Sequence, residues 1–278
     1  MKAPGIYLNV PIEQYHSEKF AIGCSGLKAM LKAPAYYFGQ YLDPNCPPES
    51  ERESPGRRFG NMVHAQLFEH ESFAERYRVG PEVTSKALKA WKDFASTLPE
   101  GVEPITPAEY KTMQQVRRSA LTIPDIASAL AVGDGEVSAY AVDDETGVMV
   151  KVRPDWVHPA GPDSCILLDG KTFNTADTDE FTRQAARMSY SMQAALYSDF
   201  YAKASGKKVL GFVFLVIADE FPNLCNAVML DDESLQAGRR LYRKALNQYA
   251  ECMKSGVWPG HGGDVKVISL PKWAMELA

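Results

Sequence analysis

The chemistry in this chain begins with two acidic residues and a lysine. Arg153-Pro154-Asp155 is followed, after thirteen intervening residues, by Asp169-Gly170-Lys171. Successive side chains of a strand alternate between faces, so Asp169 and Lys171 project from the same side. If Asp155 ends one strand of a hairpin and Asp169 lies on the next, two carboxylates and one ammonium converge. The carboxylates are hard oxygen donors suited to Mg²⁺ or Mn²⁺. An ion held there would neutralise a phosphodiester and make water a better nucleophile. Lys171 would orient or help deprotonate that water and stabilise the charge of the transition state. Phosphodiester hydrolysis needs on the order of 20 kcal/mol removed from its barrier, which no single residue supplies. Asp and Lys two apart on a strand are also common without any ligand, and Asp155 after Pro154 could simply begin a turn.

Other residues could join this centre. His64, in GNMVHAQLF, reads either as a helix histidine satisfied by a neighbouring carbonyl or as a metal ligand oriented through its second ring nitrogen. Glu136 precedes the first strand of the hairpin region, as a surface glutamate or a further acid near the metal. Gln193 and Tyr197 are four apart and share a helix face. If that face looks at the DGK strand, they can contact a phosphate or the attacking water.

The elements that must position these groups follow from periodicity. Residues 1–22 read as extended and irregular. Ser25 suits the cap of a helix beginning at Gly26, Pro34 interrupts that helix, and AYYFGQYL continues helically. Asp43 to Arg58, rich in proline and charge, reads as a mobile loop. FGNMVHAQLFE, SKALKAWKDFASTL and PAEYKTMQQVRRSALTI read as amphipathic helices, making residues 1–135 mainly helical. EVSAYAV, GVMVKVRPDWV and SCILLDGKTF are apolar, β-branched runs, with Asp143-Asp144-Glu145-Thr146-Gly147 as a hairpin connection. One long helix is predicted from about Asp179 to Ala204, closed by Gly206. VLGFVFLVIA is the strand of a covered sheet, a further strand lies near Asn226 to Leu230, and a last helix runs from about Asp232 to Ser255. The expectation is one α/β domain over residues 1–278, with a mixed central sheet flanked by helices in 136–278.

Composition sets wide bounds. The chain has 278 residues, 45% of them hydrophobic and 23% charged, as in ordinary globular proteins. A net charge of -5 neither supports nor excludes DNA, because a nuclease gathers acids at its metals and can confine its basic groups to one channel. Cys24, Cys46, Cys165, Cys225 and Cys252 form no CxxC pair, which argues against a disulfide framework, an iron–sulfur cluster or structural zinc. No apolar run suits a signal peptide or membrane span, so a cytoplasmic protein is expected. Neither GxGxxG before a helix nor a P-loop is present, which leaves a small-molecule enzyme remote.

Taken in order, PGIYLNVPIEQYHS, SGLKAMLKAPAYY, FGNMVHAQLFE, KVRPDWV, LLDGKT, SYSMQAALYSDFY, GFVFLVIA and ISLPKWAMELA resemble the C-terminal nuclease domain of the exonuclease VIII (RecE) family. That family belongs to the RecB-like branch of the PD-(D/E)xK superfamily, whose restriction-endonuclease-like core the resemblance implies. It further implies His64, Asp155, Asp169 and the Gly170 carbonyl as metal ligands, Lys171 as the catalytic lysine, and Gln193 and Tyr197 as the motif on the following helix. Glu136 matches the acidic position ahead of the hairpin. The implied activity is Mg²⁺-dependent, with Mn²⁺ as substitute: 5′-to-3′ digestion of one strand of linear duplex DNA, leaving 3′ tails for an annealing protein in recombination. A ring-shaped homo-oligomer, tetramer or trimer, from a phage or prophage is implied as well. Ser25, Lys28, Arg57 and Arg58 are candidates for binding the 5′-terminal phosphate, or are ordinary capping and solvated residues. The rival readings are an endonuclease or single-strand-specific nuclease of the same fold, and a catalytically inactive DNA-binding module.

Overall fold

The computed structural model describes residues 2–47, 55–263 and 265–275. The first half of the chain runs β1 (Gly5–Tyr7), α1 (Ile12–Ser17), α2 (Cys24–Lys32) and α3 (Pro34–Tyr37), which continues as a π-helical turn over Phe38–Leu42. It goes on through α4 (Pro55–Phe68), α5 (Phe73–Arg76), β2 (Tyr77–Val79), α6 (Lys89–Ser96), β3 (Glu103–Ile105), α7 (Pro107–Leu121), α8 (Pro124–Ala131) and β4 (Asp134–Gly135). The second half comprises β5 (Ser138–Val142), β6 (Met149–Val152), β7 (Trp156–Gly161), β8 (Ser164–Phe173), α9 (Thr178–Arg187) and α10 (Tyr190–Ser205). It closes with β9 (Lys208–Ala218), β10 (Cys225–Met229), α11 (Asp232–Ser255) and α12 (Lys272–Met275).

The β9 sequence explains the layering. Phe212, Phe214 and Val216 enter one hydrophobic core with residues of α2, α9, α10 and α11. Leu215 and Ile217, one step out of phase, enter a second core with residues of α4, α7 and α8. With both faces covered, the strand must read as a near-continuous apolar run. It sits within a five-stranded sheet ordered β10-β9-β8-β7-β4, in which β8 and β9 are parallel and the other pairs antiparallel. A parallel neighbour requires a long crossover, and α9 and α10 supply it. A second sheet, β1-β5-β6, is antiparallel throughout, and β2 and β3 form a small parallel pair.

β8 has the same alternation with a different ending. Cys165 and Leu167 belong to the core beneath α10, and Leu168 belongs to the core beneath α4. Period 2 then carries Asp169 and Lys171 onto the α10 side and Gly170 onto the α4 side.

Several expectations need correction. Asp155 does not end a strand: GVMVKVRPDWV splits into β6 and β7, which belong to different sheets, and Asp155 immediately precedes β7. The expected single helix from Asp179 to Ala204 is two helices. The chain breaks at Met188 and Ser189, and Ser189 takes a left-handed φ of 52°. Gly206 closes α10 at φ 71°, the conformation glycine adopts without penalty. Helix α2 starts at Cys24 with Gly23 as its cap, so Ser25 lies in the first turn instead of capping. Pro55 to Arg58 are helical, whereas residues 48–54 of the expected loop lie outside the described residues. Within residues 1–22, β1 and α1 are regular elements. Residues 276–278 of the closing motif also lie outside the described residues. Among the described residues no helix is long and apolar enough to cross a membrane.

Helix α7 is anchored by a capping box: Glu109 N–H donates to Thr106 Oγ1 at 3.1 Å, and Thr106 N–H donates to Glu109 Oε2 at 2.7 Å. The same carboxylate receives Arg58 of α4 at 2.5 Å and Lys86 at 2.8 Å. This pairing sets the start of the helix that carries His64. Burial opposes the charge on Glu109, but the hydrogen bonds from Lys86, Thr106 and Arg58 outweigh it and lower its pKa from 4.5 to about 2. A carboxylate with a depressed folded pKa stabilises the protein above its unfolded pKa, and that stabilisation fades as pH falls towards the folded value. Glu109→Gln is therefore expected to lower stability by about 1 kcal/mol at neutral pH. The deficit should shrink as pH falls from 4.5 towards 2, in denaturant unfolding followed across that range.

Candidate active site

The site forms where the two sheets part. The β7–β8 ladder ends at the pair Trp156–Leu168, so the next β8 amide, that of Gly170, has no strand partner there. The Asp155 side chain takes its place: Gly170 N–H donates to Asp155 Oδ2 at 2.6 Å. That bond fixes the carboxylate across from Asp169, which is the juxtaposition the spacing of the two motifs predicts.

Each remaining group arrives from a different element. His64, from α4, places Nδ1 3.4 Å from Asp155 Oδ2 and has a backbone hydrogen bond with Gly170. Glu136, just before β5, has a left-handed φ of 53°, and its N–H donates to the Asp155 carbonyl at 3.0 Å. One ligand atom each from His64, Glu136 and Asp155 lie within 4.8 Å of one another. Asp169 sits beside this trio with both oxygens engaged: Lys171 donates to Oδ1, and Gln193 Nε2 donates to Oδ2 at 2.6 Å. Gln193 can do this because α10 begins anew at Tyr190, after the Ser189 break, and lies directly over β8 and β9.

Gly170 is required by the space around it. A Cβ there would stand 2.9 Å from Phe68 Cε2 and 3.5 Å from His64 Nε2. A side chain there would have to displace the Phe68 ring, which stands on the same helix as His64.

The charges are unbalanced. Asp155 and Asp169 are 8% and 2% exposed, so both carboxylates are withdrawn from water. Burial, followed by the negative charges of Asp169 and Glu136, pushes the Asp155 pKa well above the ordinary carboxylate range. Burial would discharge Lys171, but Asp169 and Asp155 outweigh it and hold the ammonium above the usual lysine range. Burial lowers the pKa of His64, partly offset by Glu136 and Asp169, which favours the neutral imidazole that ligates metals. An imidazole and a surplus of closely packed carboxylates are a donor set that a divalent cation would stabilise. The residues present therefore fit a metal ion.

The other expected residues are distributed unevenly. Tyr197 packs edge-on against Phe212 at 5.9 Å. Its hydroxyl pKa is raised by burial first, then by Tyr15, Cys24, Asp169 and Asp155, so it lies in the field of the acidic cluster. Lys28 also reaches the site: its Nζ lies 5.3 Å from the Tyr190 ring centroid, and Lys171 Nζ lies 5.1 Å from the same ring. Ser25 is exposed on the first turn of α2, and Arg57 is exposed at the start of α4. Arg58 is engaged by Glu109, by the Pro104 carbonyl at 3.1 Å and by Glu103 at 3.5 Å.

Sequence reasoning missed Arg153 and Tyr190. Arg153 donates to Glu136 Oε2 at 2.6 Å, to the Val10 carbonyl at 2.8 Å and to Ser138 Oγ at 2.9 Å, so it holds Glu136 in the trio. Its position two residues before Asp155 was the available signal. Tyr190 had none, because its role depends on the helix break beside it.

Residues 23–271 match the family described as PDDEXK-like domain of unknown function, DUF3799. Among curated proteins no sequence matches the chain. Among solved structures, the chain is similar to a protein of Eubacterium rectale designated a candidate exonuclease, with a TM-score of 0.61, 15% identity and 98% of each chain covered. A weaker likeness, to the structure of SSO0001, has a TM-score of 0.41 and 12% identity over 87% of this chain and 86% of that one. The first likeness concerns the fold alone, a mixed sheet flanked by helices. With nearly its whole length matched, this chain belongs to the PDDEXK-like family DUF3799.

Proposed function

We propose that this chain is a metal-dependent deoxyribonuclease acting as an exonuclease on linear duplex DNA. The observation that carries the reading is the buried meeting of Asp155, Asp169 and Lys171 with His64 and Glu136 at the sheet's parting. Family membership and the name given to the Eubacterium rectale protein agree with it. Digestion from 5′ to 3′, 3′ tails for an annealing protein, and a ring-shaped homo-oligomer rest on the resemblance of the ordered motifs to the exonuclease VIII (RecE) family.

His64, Asp155 and Glu136 would hold the ion, with Asp169 and the Gly170 carbonyl at its border. A bound Mg²⁺ or Mn²⁺ would supply Lewis-acid polarisation of the phosphate. The chain's own groups do the rest. Lys171, kept charged by its acidic neighbours, stabilises negative charge on the phosphoryl oxygens more readily than it removes a proton. Gln193 orients Asp169 and Arg153 orients Glu136, so the carboxylates stay in place without the substrate. The Tyr190 ring lies between Lys28 and Lys171, within 5.3 and 5.1 Å of their ammonium groups, which places a second positive charge near the lysine.

Two experiments test this. Mn²⁺ should raise the melting temperature of the wild-type protein by a few degrees, because it binds the folded state alone. Asp155→Asn should abolish that shift while leaving the metal-free protein at least as stable, since the amide keeps an acceptor for Gly170 N–H and cannot take on the negative charge that burial, Asp169 and Glu136 oppose. A full shift in the variant, measured by scanning calorimetry, would place the ion elsewhere. With end-labelled linear duplex and closed circular DNA, Mg²⁺ should support release of nucleotides from the 5′ end of linear DNA only, and chelator should stop it. Lys171→Ala should slow release by about a hundredfold or more. Closed circles cut as readily as linear ends would favour an endonuclease, and activity surviving Lys171→Ala and Asp155→Asn would discard the site.

A further inference from the structure

Beyond α11 the chain is tied to α3 as far as His261. Ala35 N–H donates to the Pro259 carbonyl at 3.1 Å, and the His261 ring meets that of Tyr36 at 5.6 Å. Past that tether, Val265-Lys266-Val267-Ile268-Ser269-Leu270 forms no helix or strand and lies open to solvent. Val265 and Val267 are 99% exposed and Ile268 is 82% exposed. Side chains so fully hydrated gain by being covered, and consecutive ones form a patch instead of scattered single residues. The β-branched residues favour a strand. Pro271, which has no N–H, would end that strand after Leu270.

A strand edge of matching character lies elsewhere in the molecule. β10 is the terminal strand of the five-stranded sheet, and among the described residues only β9 pairs with it. Ala218 N–H donates to the Leu224 carbonyl, which sets the phase of the ladder. Asn226 and Val228 therefore turn their backbone groups to β9, and Cys225, Ala227 and Met229 turn theirs outward. Cys225 N–H is taken by Ser119 Oγ at 3.1 Å, which leaves Ala227 and Met229 to form the edge. No charged residue within β10 discourages pairing there. Leu224 and Met229, 59% and 56% exposed, lie at its two ends. Exposed acids precede the strand at Asp219 and Glu220 and follow it at Asp231, Asp232 and Glu233. The carboxy-terminal segment answers them with exposed Lys266 and Lys272.

We propose that Val265–Leu270 of one copy adds as a strand to β10 of a second copy, with its lysines among those acids. Backbone hydrogen bonds at Ala227 and Met229 would supply the affinity, and the apolar side chains would cover Leu224 and Met229. Reach favours a second copy over the same chain. α11, with its 24 residues, carries the chain about 36 Å from the end of β10. The four steps from His261 to Val265 span at most about 14 Å. Each copy offers one segment and one edge, so the contact is heterologous. Repeated about a rotation axis it closes a ring, and exchanged between two copies it gives a dimer. The contact goes beyond the nuclease reading and stands without it.

The test uses the full chain, with the photo-reactive residue p-benzoylphenylalanine in place of Ser269. Isotope-labelled and unlabelled protein are mixed in dilute solution, concentrated together, irradiated and mapped by mass spectrometry. Crosslinks from position 269 to residues 219–233 that join a labelled to an unlabelled chain are expected. Light scattering during size exclusion should show an oligomer for the wild type. Val267→Asp in the segment and Met229→Lys on the edge, both at exposed positions, should each weaken association about tenfold or more, with the circular dichroism spectrum unchanged. Crosslinks confined to single chains would show the segment folding back on its own copy and overturn the proposal. So would a wild type that stays monomeric when concentrated, or an oligomer that both substitutions leave intact. Crosslinks between chains that fall outside 219–233 would remove β10 as the docking edge. Mg²⁺-dependent digestion is a separate readout, and its absence would sink the nuclease reading while leaving this contact standing.

Discussion

Asp155 shares a nearly dry space with Asp169 and Glu136, and the structure around it is organised to tolerate that repulsion. Carboxylates withdrawn from water and crowded together are stable only with compensating positive charge or hydrogen-bond donors. Lys171 supplies one charge, the Gly170 amide one donor, and Gln193 another. What these leave uncompensated is the attraction for a cation. Ligand binding and fold stability are thus aspects of one electrostatic arrangement, in which the protein holds acids together for a metal to join.

The fold keeps the acids from moving apart. β6 pairs with β5 and β7 pairs with β8, so the short segment between them, Arg153-Pro154-Asp155, is fixed at both ends by different sheets. Arg153 adds a tie to the amino-terminal segment through the Val10 carbonyl and to Glu136 through its carboxylate. Lys151, two residues before Arg153, is buried and donates to the carbonyls of Tyr15 and Glu18 at 2.5 and 2.8 Å. Burial lowers its pKa to about 8, with Glu18 opposing the shift. The amino-terminal segment therefore packs behind the site and braces it.

Much of this was legible in the residues. Period 2 along LLDGK put Asp169 and Lys171 on one face, because that phase is fixed by the apolar residues before them. The near-continuous apolar run VLGFVFLVIA marked β9, and that character reflects two covered faces. Where the reading failed, the cause lay in contacts distant in sequence. RPDW reads as strand continuation, yet β6 and β7 pair with different partners, which no local pattern records. The break at Ser189 is invisible in a helix-favourable sequence; just beyond it α10 lies so close to α11 that a Cβ on Gly238 would fall 2.1 Å from the Ser191 carbonyl oxygen. Glu136 was recognised as a candidate, but its place in the trio is held by Arg153, and Arg58, one of four candidates for a terminal phosphate or else an ordinary basic residue, meets Glu109 across two helices.

The central claim is that His64, Glu136 and Asp155 form one metal site beside Lys171. Its most direct measurement is anomalous X-ray diffraction from crystals soaked in Mn²⁺, with data collected at the manganese absorption edge. The account predicts a peak bounded by His64, Asp155 and Glu136, within coordination distance of Asp155. A peak bound elsewhere, with this cluster showing none at saturating Mn²⁺, would contradict it.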